Sequence, residues 1–359
     1  MRYENENKLS FTSESICKKT LFITLLFLIY QFTINAKAVY VDSNIGNDNN
    51  EGTEGAPLYS ISKAAEIIRK QDNNIYIMKI NPGIYILDHH VSVSTEKVMT
   101  HKRIIIRANI LPGDTPWTPE KMPVIISAAK KGELSEFYNF VAAFLINETH
   151  VTIRGLKFHG YSYPNTRYFP IARFIKTKAD LLVEQCMFVG DRDASHIQVG
   201  IIAHGDKVKI DHCVFYNAKN AVVYWQDSGT GTKTGNSFTN CIVYGAFQTA
   251  VWLAWPDNDF LFKNNIITNC KYAWIKNSFN NTKYSADSSF IVNNKFYQGV
   301  ADDSGVHPGE FIMNENNISK EGKITLRLIA DNVDEPLPVD YLHVVPGTQE
   351  YNIIAGLFK

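Results

Sequence analysis

The sequence lacks any imbalance of charge: Lys and Arg together number 36, Asp and Glu together 36, among 359 residues. A chain without a general basic field has nothing with which to hold a nucleic-acid backbone or an anionic membrane surface, so nucleic acid is not expected as a partner. An anionic ligand would have to be gripped by a local cluster of Arg and Lys. Cysteine is scarce, five in all, and no pair has the C-x-x-C spacing of a zinc site. The apolar run from Leu21 to Phe32 is too short to span a bilayer comfortably, and Gln31 interrupts its end. With Lys18 and Lys19 before it and Ala36-Lys37-Ala38 after it, the run reads as a secretory signal peptide over residues 1–38. The mature chain is then expected from Val39, outside the cytoplasm, secreted or periplasmic, with no membrane span. Helical periodicity is also nearly absent. Only Ile61 to Arg69 shows clear helical amphipathicity.

In its place the chain has a repeat. Val151 to Phe158, Leu181 to Phe188, Val208 to Phe215 and Ser237 to Val243 align so that Leu156, Cys186, Cys213 and Cys241 fall in one column, at steps of 30, 27 and 28 residues. The series continues through Phe260 to Ile267 and Phe290 to Phe296, which puts Asn265 and Asn294 in the cysteine column. Each unit holds short alternating runs of Val, Ile and Phe divided by Asn, Gly or Asp, the mark of strands joined by tight turns. Gln185, His212, Asn240, Asn264 and Asn293 precede that column, where a residue in the left-handed conformation would turn one strand into the next. A second register aligns Ala143, Ala172, Gly200, Ala221, Ala250 and Ala273, followed two positions later by Leu145, Phe174, Ile202, Val223, Trp252 and Ile275. Small and large residues two apart share a face, expected here to be the inner one. The period is too short for propeller blades and has no leucine-rich consensus. The expected fold is all-β: a right-handed parallel β-helix of three-strand coils over residues 39–330. Its N-terminal cap is the helix near Ile61, and residues 331–359 form an irregular cap or tail. Cys186, Cys213 and Cys241 are expected as an inward stack of thiols without chemistry. The sequence leaves the state of Cys270 open.

Tyr40-Val-Asp-Ser-Asn-Ile-Gly-Asn-Asp-Asn-Asn-Glu-Gly-Thr53, then Ala56-Pro57 and Ser60-Ile-Ser-Lys-Ala64, resembles the entry segment of secreted pectate-lyase-like β-helix proteins. Asn81-Pro-Gly-Ile-Tyr85 resembles the turn and strand that follow it. The resemblance implies structural roles for Asp42, Asp48 and Gly52, and a polysaccharide or other glycan as partner. Of the polygalacturonase motifs only His204-Gly205 is present, which disfavours that branch.

The longest insertions, Gly160 to Pro170, Gly190 to Gln198, Gln226 to Asn236 and Ser278 to Ser288, flank the strand with the small-residue column and are expected to wall a groove. If the small column faces inward, Arg173, Tyr224, Trp274 and Lys276 face outward, with Lys176, His204, Trp225 and Trp255 at or just past the strand ends. Cations mixed with aromatics suit an acidic sugar chain. For β-elimination of a uronide, Arg173 is the expected carboxylate neutraliser, Lys176 or His204 the base and Tyr224 the acid. Arg167, Trp225, Trp255, Trp274 and Lys276 are the expected substrate contacts. Asp227 and Asp257 are the alternative, a glycoside-hydrolase pair. Asp191-Arg-Asp193 offers a calcium site. A non-catalytic glycan-binding or surface module is the reading from outside enzymology.

Overall fold

The structure is a computed structural model that describes residues 36–71, 75–96, 103–134, 139–163, 165–225, 234–328, 334–345 and 352–359. Residues 1–35, most of the expected signal peptide, lie outside the described residues. Ala36 to Ala38 open the first strand, Ala36–Val41, whose first fully buried residue is Val39.

A coil consists of a strand, a left-handed corner, a second strand, a loop and a third strand. Stacking coils in parallel makes three longitudinal sheets. The first runs from Ala36–Val41 through Val151–Arg154, Leu181–Glu184 and Val208–Asp211 to Met313–Ser319. The second runs from Ile84–Leu87 through Lys157–His159 and Met187–Val189 to Ile266–Thr268 and the far half of Tyr284–Val292. The third runs from Val91–Val93 through Arg167–Arg173, Val199–Ala203, Asn220–Tyr224 and Thr249–Leu253 to Phe296–Asp302, and ends in an antiparallel strand, Gly305–Pro308. This is a right-handed parallel β-helix. Its N-terminal mouth is closed by the helix Ile61–Lys70, which buries Ile61, Ala64 and Ile68; Ser60 caps it by accepting the Lys63 N–H. Asp48 in turn accepts the Ser60 N–H and hydroxyl, and Asp42 accepts the N–H groups of Asn44 and Ile45. Both are structural, as the entry motif implied.

The corners confirm the polar column. Gln185, His212, Asn240 and Asn264 all have φ between 49° and 56°. A second left-handed column, Asn217, Gly245, Asn269 and Asn293, turns the second sheet into the loop before the third. Asn293 therefore belongs to that second corner, and Ser288, with φ 48°, stands over Asn264. The cysteine column points inward as expected: Cys186, Cys213 and Cys241 are buried free thiols whose Sγ atoms donate to the carbonyls of Glu184, Asp211 and Thr239. Burial holds the Cys186 and Cys213 thiols well above their usual range, which leaves them inert as nucleophiles. Cys270 is also a free, buried thiol, pushed up to about 12 by burial. Past Cys241 the column continues as Asn265 and Ser289, each accepting the backbone N–H of the rung before at 2.9 Å. Asn294, placed by sequence beside Asn265, stands over Cys270 instead, whose N–H it accepts.

The third sheet departs from the expected register and face. Ala172 pairs with Leu145 and Ile202, so it lies in the large-residue column; Pro170 takes the small position, and Phe174 lies beyond the strand. A compact proline satisfies a narrow corner as well as alanine does, and a search for alanines slips past it by two residues. The small column lines a bend. Residues on its C-terminal side, Ile171, Ile201, Val222, Val251 and Trp274, enter the main core, while Ala172, Val223, Ile202 and Trp252 cluster on the outer face. Small residues stand there because two successive side chains point inward. At Gly200 a Cβ would meet the Ala221 carbonyl oxygen at 2.7 Å and the Phe215 ring at 2.9 Å.

The C-terminal segment, expected as an irregular cap, lies along the outer face of the second sheet. Ile324, Leu326, Leu342, Val344 and Leu357 cover the outward column Met187, Val214, Ile242 and Ile266. Pins include the Gln185 amide donating to the Leu357 carbonyl at 2.7 Å, Gly356 N–H donating to Asn240 O at 2.9 Å, and an ion pair of Lys359 with Glu184. Within it His343 accepts the Leu357 N–H on Nε2 at 2.8 Å and donates from Nδ1 to the Tyr341 carbonyl at 2.9 Å, an arrangement open only to the neutral imidazole.

Two outcomes follow from these contacts. Gly200→Val should cost about 3 kcal/mol in urea unfolding, since the Ala221 backbone cannot move aside; an unchanged midpoint would contradict the packing described. Burial lowers His343 to about 4, so the folded chain holds it neutral where the unfolded chain, at 6.5, binds a proton. The native state is then fully favoured above about pH 6.5 and loses stability as the pH falls from there toward 4. Between pH 7.5 and 5 that loss amounts to about 2 kcal/mol. His343→Gln, neutral throughout, should lose less over this interval, and an identical loss would remove His343 as its cause.

Candidate functional site

A groove of about 440 Å³ opens on the outer face of the third sheet, spanning the strands from Phe140–Ile146 to Thr249–Leu253. Its floor is apolar: Phe169, Val199, Ile202, Val223 and Trp252. One rim carries Arg167, Gln198, Lys219 and Gln248, at the entry to successive strands; the other carries Phe174, His204 and Trp225, where the strands end. Loops make the rims possible, since those before Arg167 and Val199 are the long insertions seen in the sequence.

Within the groove Arg167 lies over the Phe140 ring at 5.6 Å, and Trp225 packs edge-on to Trp252 at 6.1 Å. The Trp252 Nε1–H donates to Asn277 at 2.8 Å, so that ring is fixed. His204 meets Phe174 edge to face at 5.8 Å. Asn220, buried in the floor, donates to the Gln198 carbonyl at 3.0 Å. Burial, and then the positive charge of Arg167, lower the Lys219 ammonium below the ordinary lysine value. Among the described residues that line the groove there is no carboxylate. Such a surface can stack on a pyranose face, neutralise an anionic substituent and offer an amine that releases its proton readily.

Of the expected site residues, the structure brings Arg167, His204 and Trp225 to this groove. The inverted face of the third sheet withdraws three others. Arg173 is fully buried; its Nε donates to the His204 carbonyl at 2.8 Å and one terminal nitrogen to the Asp206 carbonyl at 3.2 Å, while burial lowers it to about 10. Tyr224 is inward, donating to the Ser237 carbonyl at 2.7 Å, and burial holds its phenol well above the usual range. Trp274 is core, 4.4 Å from Phe262. None of the three can touch a ligand on the outer face. Lys176 is exposed on the turn beyond Phe174 and does not line the groove. Trp255 packs on Phe279 at 5.2 Å, and Lys276 lies over Phe311 at 4.8 Å, both outside the groove. Asp257 is buried and accepts the Asn236 amide at 2.6 Å, which makes it a pin for its loop. Asp227 lies outside the described residues, so the expected pair is not formed by anything described.

The Asp191 carboxylate accepts the N–H groups of Asp193 and Ala194 at 2.9 and 2.7 Å, and these bonds hold it below its usual range. Asp191 and Asp193 are both exposed, and no group of three or more ligating His, Cys, Asp or Glu occurs among the described residues. Lys219, Gln198, Gln248 and Asn220 were missed by sequence reasoning. Their signal was positional: each lies at or immediately before the first residue of a third-sheet strand, a column readable only once the small-residue register is right.

No family model and no curated protein matches the chain. Solved structures do. A rhamnogalacturonan lyase aligns at 15% identity and TM-score 0.45, over 90% of this chain and 100% of that one. A pectate lyase aligns at 12% identity and TM-score 0.47, over 88% and 91%. A lacto-N-biosidase from Eubacterium ramulus aligns at 11% identity and TM-score 0.34, over 80% and 60%. The chain is a right-handed parallel β-helix. That assignment rests on its own coil: three parallel sheets with left-handed corners between the first and second.

If Arg173 serves the fold, Arg173→Met should leave the His204 and Asp206 carbonyls short of donors and cost about 2 kcal/mol in denaturant unfolding. The variant should still bind groove ligands at a temperature where it is folded. Loss of ligand binding with unchanged stability would return Arg173 to the site.

Proposed function

We propose that the protein is an exported carbohydrate-active β-helix that takes an acidic polysaccharide in the third-sheet groove and cleaves it by β-elimination. One observation carries the reading: Arg167 and Lys219 stand on the same rim of an aromatic-floored groove, and burial with the Arg167 charge lowers the Lys219 amine. Elimination next to a uronate needs the carboxylate neutralised and the adjacent C5 proton removed. Arg167 supplies the positive charge. Lys219, when neutral, accepts the C5 proton; the electron pair forms the C4–C5 double bond, and the C4–O bond breaks. His204, on the opposite rim, is the group placed to protonate the leaving oxygen. Export is supported by Lys18, Lys19, the Leu21 to Phe32 run and Ala36-Lys37-Ala38.

A second reading, glycan binding without cleavage, is favoured by the Trp225 and Trp252 surface and by the lack of a carboxylate among the described lining residues. Absorbance near 235 nm, which reports the unsaturated product, separates the two during incubation with a panel of uronate polysaccharides. The expected result is a rise that Lys219→Ala abolishes and Arg167→Ala weakens at least a hundredfold in kcat/KM, about 3 kcal/mol of transition-state binding. The wild-type rate should pass through a maximum with pH, falling on the acid side as the base Lys219 gains a proton and on the alkaline side as the acid His204 loses its own. Binding without absorbance change would establish the non-catalytic reading. No binding of any acidic glycan would sink both.

A further inference from the structure

The cationic rim does not end with the groove. Val199, Asn220, Thr249, Tyr272 and Phe296 pair in succession across five strands of the third sheet. The residues immediately before them, Gln198, Lys219, Gln248, Lys271 and Lys295, therefore form one ladder, one residue per rung. Backbone bonds fix it: Tyr272 N–H donates to the Gln248 carbonyl and Phe296 N–H to the Lys271 carbonyl, at 2.9 and 2.8 Å. The groove takes in only the first three of these residues. Lys271 and Lys295 are exposed and lie two and three rungs past Lys219, about 10 and 14 Å along the axis at the spacing of parallel strands. Each ammonium sits over the ring that follows it, Tyr272 at 5.4 Å and Phe296 at 5.5 Å, and those rings are stacked at 5.1 Å. Neither ammonium is in an ion pair with a described carboxylate. Within the groove the other rim is aromatic, so the two sides differ in chemistry there.

We infer that the occupant of the groove is an anionic oligosaccharide lying along the solenoid axis, its charged substituents turned to this ladder, and that Lys271 and Lys295 are distal contacts for sugars beyond the groove. This rests on the reading of the groove as an acidic-glycan site and adds to it a direction, a length and two specificity-determining residues. A ligand short enough to stay within the groove does not reach them. A longer one gains two cation contacts, exposed to water and hence individually modest and sensitive to salt.

The test is calorimetric titration of a size series of uronate oligosaccharides, dimer to octamer, into the wild type and the Lys271→Ala/Lys295→Ala double variant. Both positions are on the surface, and unchanged thermal melting checks that the variant folds. The octamer should bind about tenfold more weakly to the variant at low salt, two modest exposed contacts in sum, while the dimer binds both proteins alike. An octamer with unchanged affinity, or a dimer weakened as much as the octamer, overturns the ladder and leaves the groove reading standing. Failure of the wild type to bind any member of the series overturns the groove reading and the ladder with it.

Discussion

Parallel stacking of coils is the constraint on which everything else depends. Each strand's N–H and C=O groups are satisfied by the coils on either side, so a coil can be added only if its strands keep register with their neighbours. A residue at one position then meets the same position of the next coil about 4.8 Å away, and side chains work as columns. The inward columns stack Phe158, Phe188 and Phe215 at ring separations of 5.1 and 4.6 Å, and carry the thiols of Cys186, Cys213 and Cys241. The outward column of the first sheet pairs Arg154 with Glu184, Thr239 with Asp211 and Lys263 with Asp287. Where an outward column is apolar, something must cover it, which is the role of the C-terminal segment on the second sheet.

The same constraint decides what could be read in advance. The corner between the first and second sheets recurs with a residue type that tolerates positive φ, and a column of Gln, His and Asn before a buried Cys reveals it as far as Asn264. The coil length, the inward thiols and the capping helix were legible for the same reason. The third sheet was not, because its face is set by a bend. At Ala143, Ala221, Ala250 and Ala273 two successive residues turn inward, so strict alternation counted from the small residue puts the side chains that follow on the wrong side. Arg173, Tyr224 and Trp274 carried the chemistry expected of a site, yet each serves the interior or a turn.

Correcting that face explains why the site is basic on one rim and aromatic on the other. The residue that enters each third-sheet strand lies outside the bend and faces solvent, so it is free to be Gln or Lys at no cost to the core. Where the strands end, Phe174, His204 and Trp225 fall in one column of rings. Legibility of the site was accordingly partial: Arg167, His204 and Trp225 were found as positions on long loops or at strand ends, whereas Lys219 and the amides beside it are visible only through the rung register.

The central claim is that the ligand surface is the outer face of the third sheet, oriented by its entry rim. A crystal structure with a bound uronate oligosaccharide tests this most directly. The ligand should lie over Val223 and Trp252 with its carboxylates toward Arg167 and Lys219. A ligand bound over the second sheet, or with its carboxylates turned to the Phe174 and Trp225 rim, would contradict it.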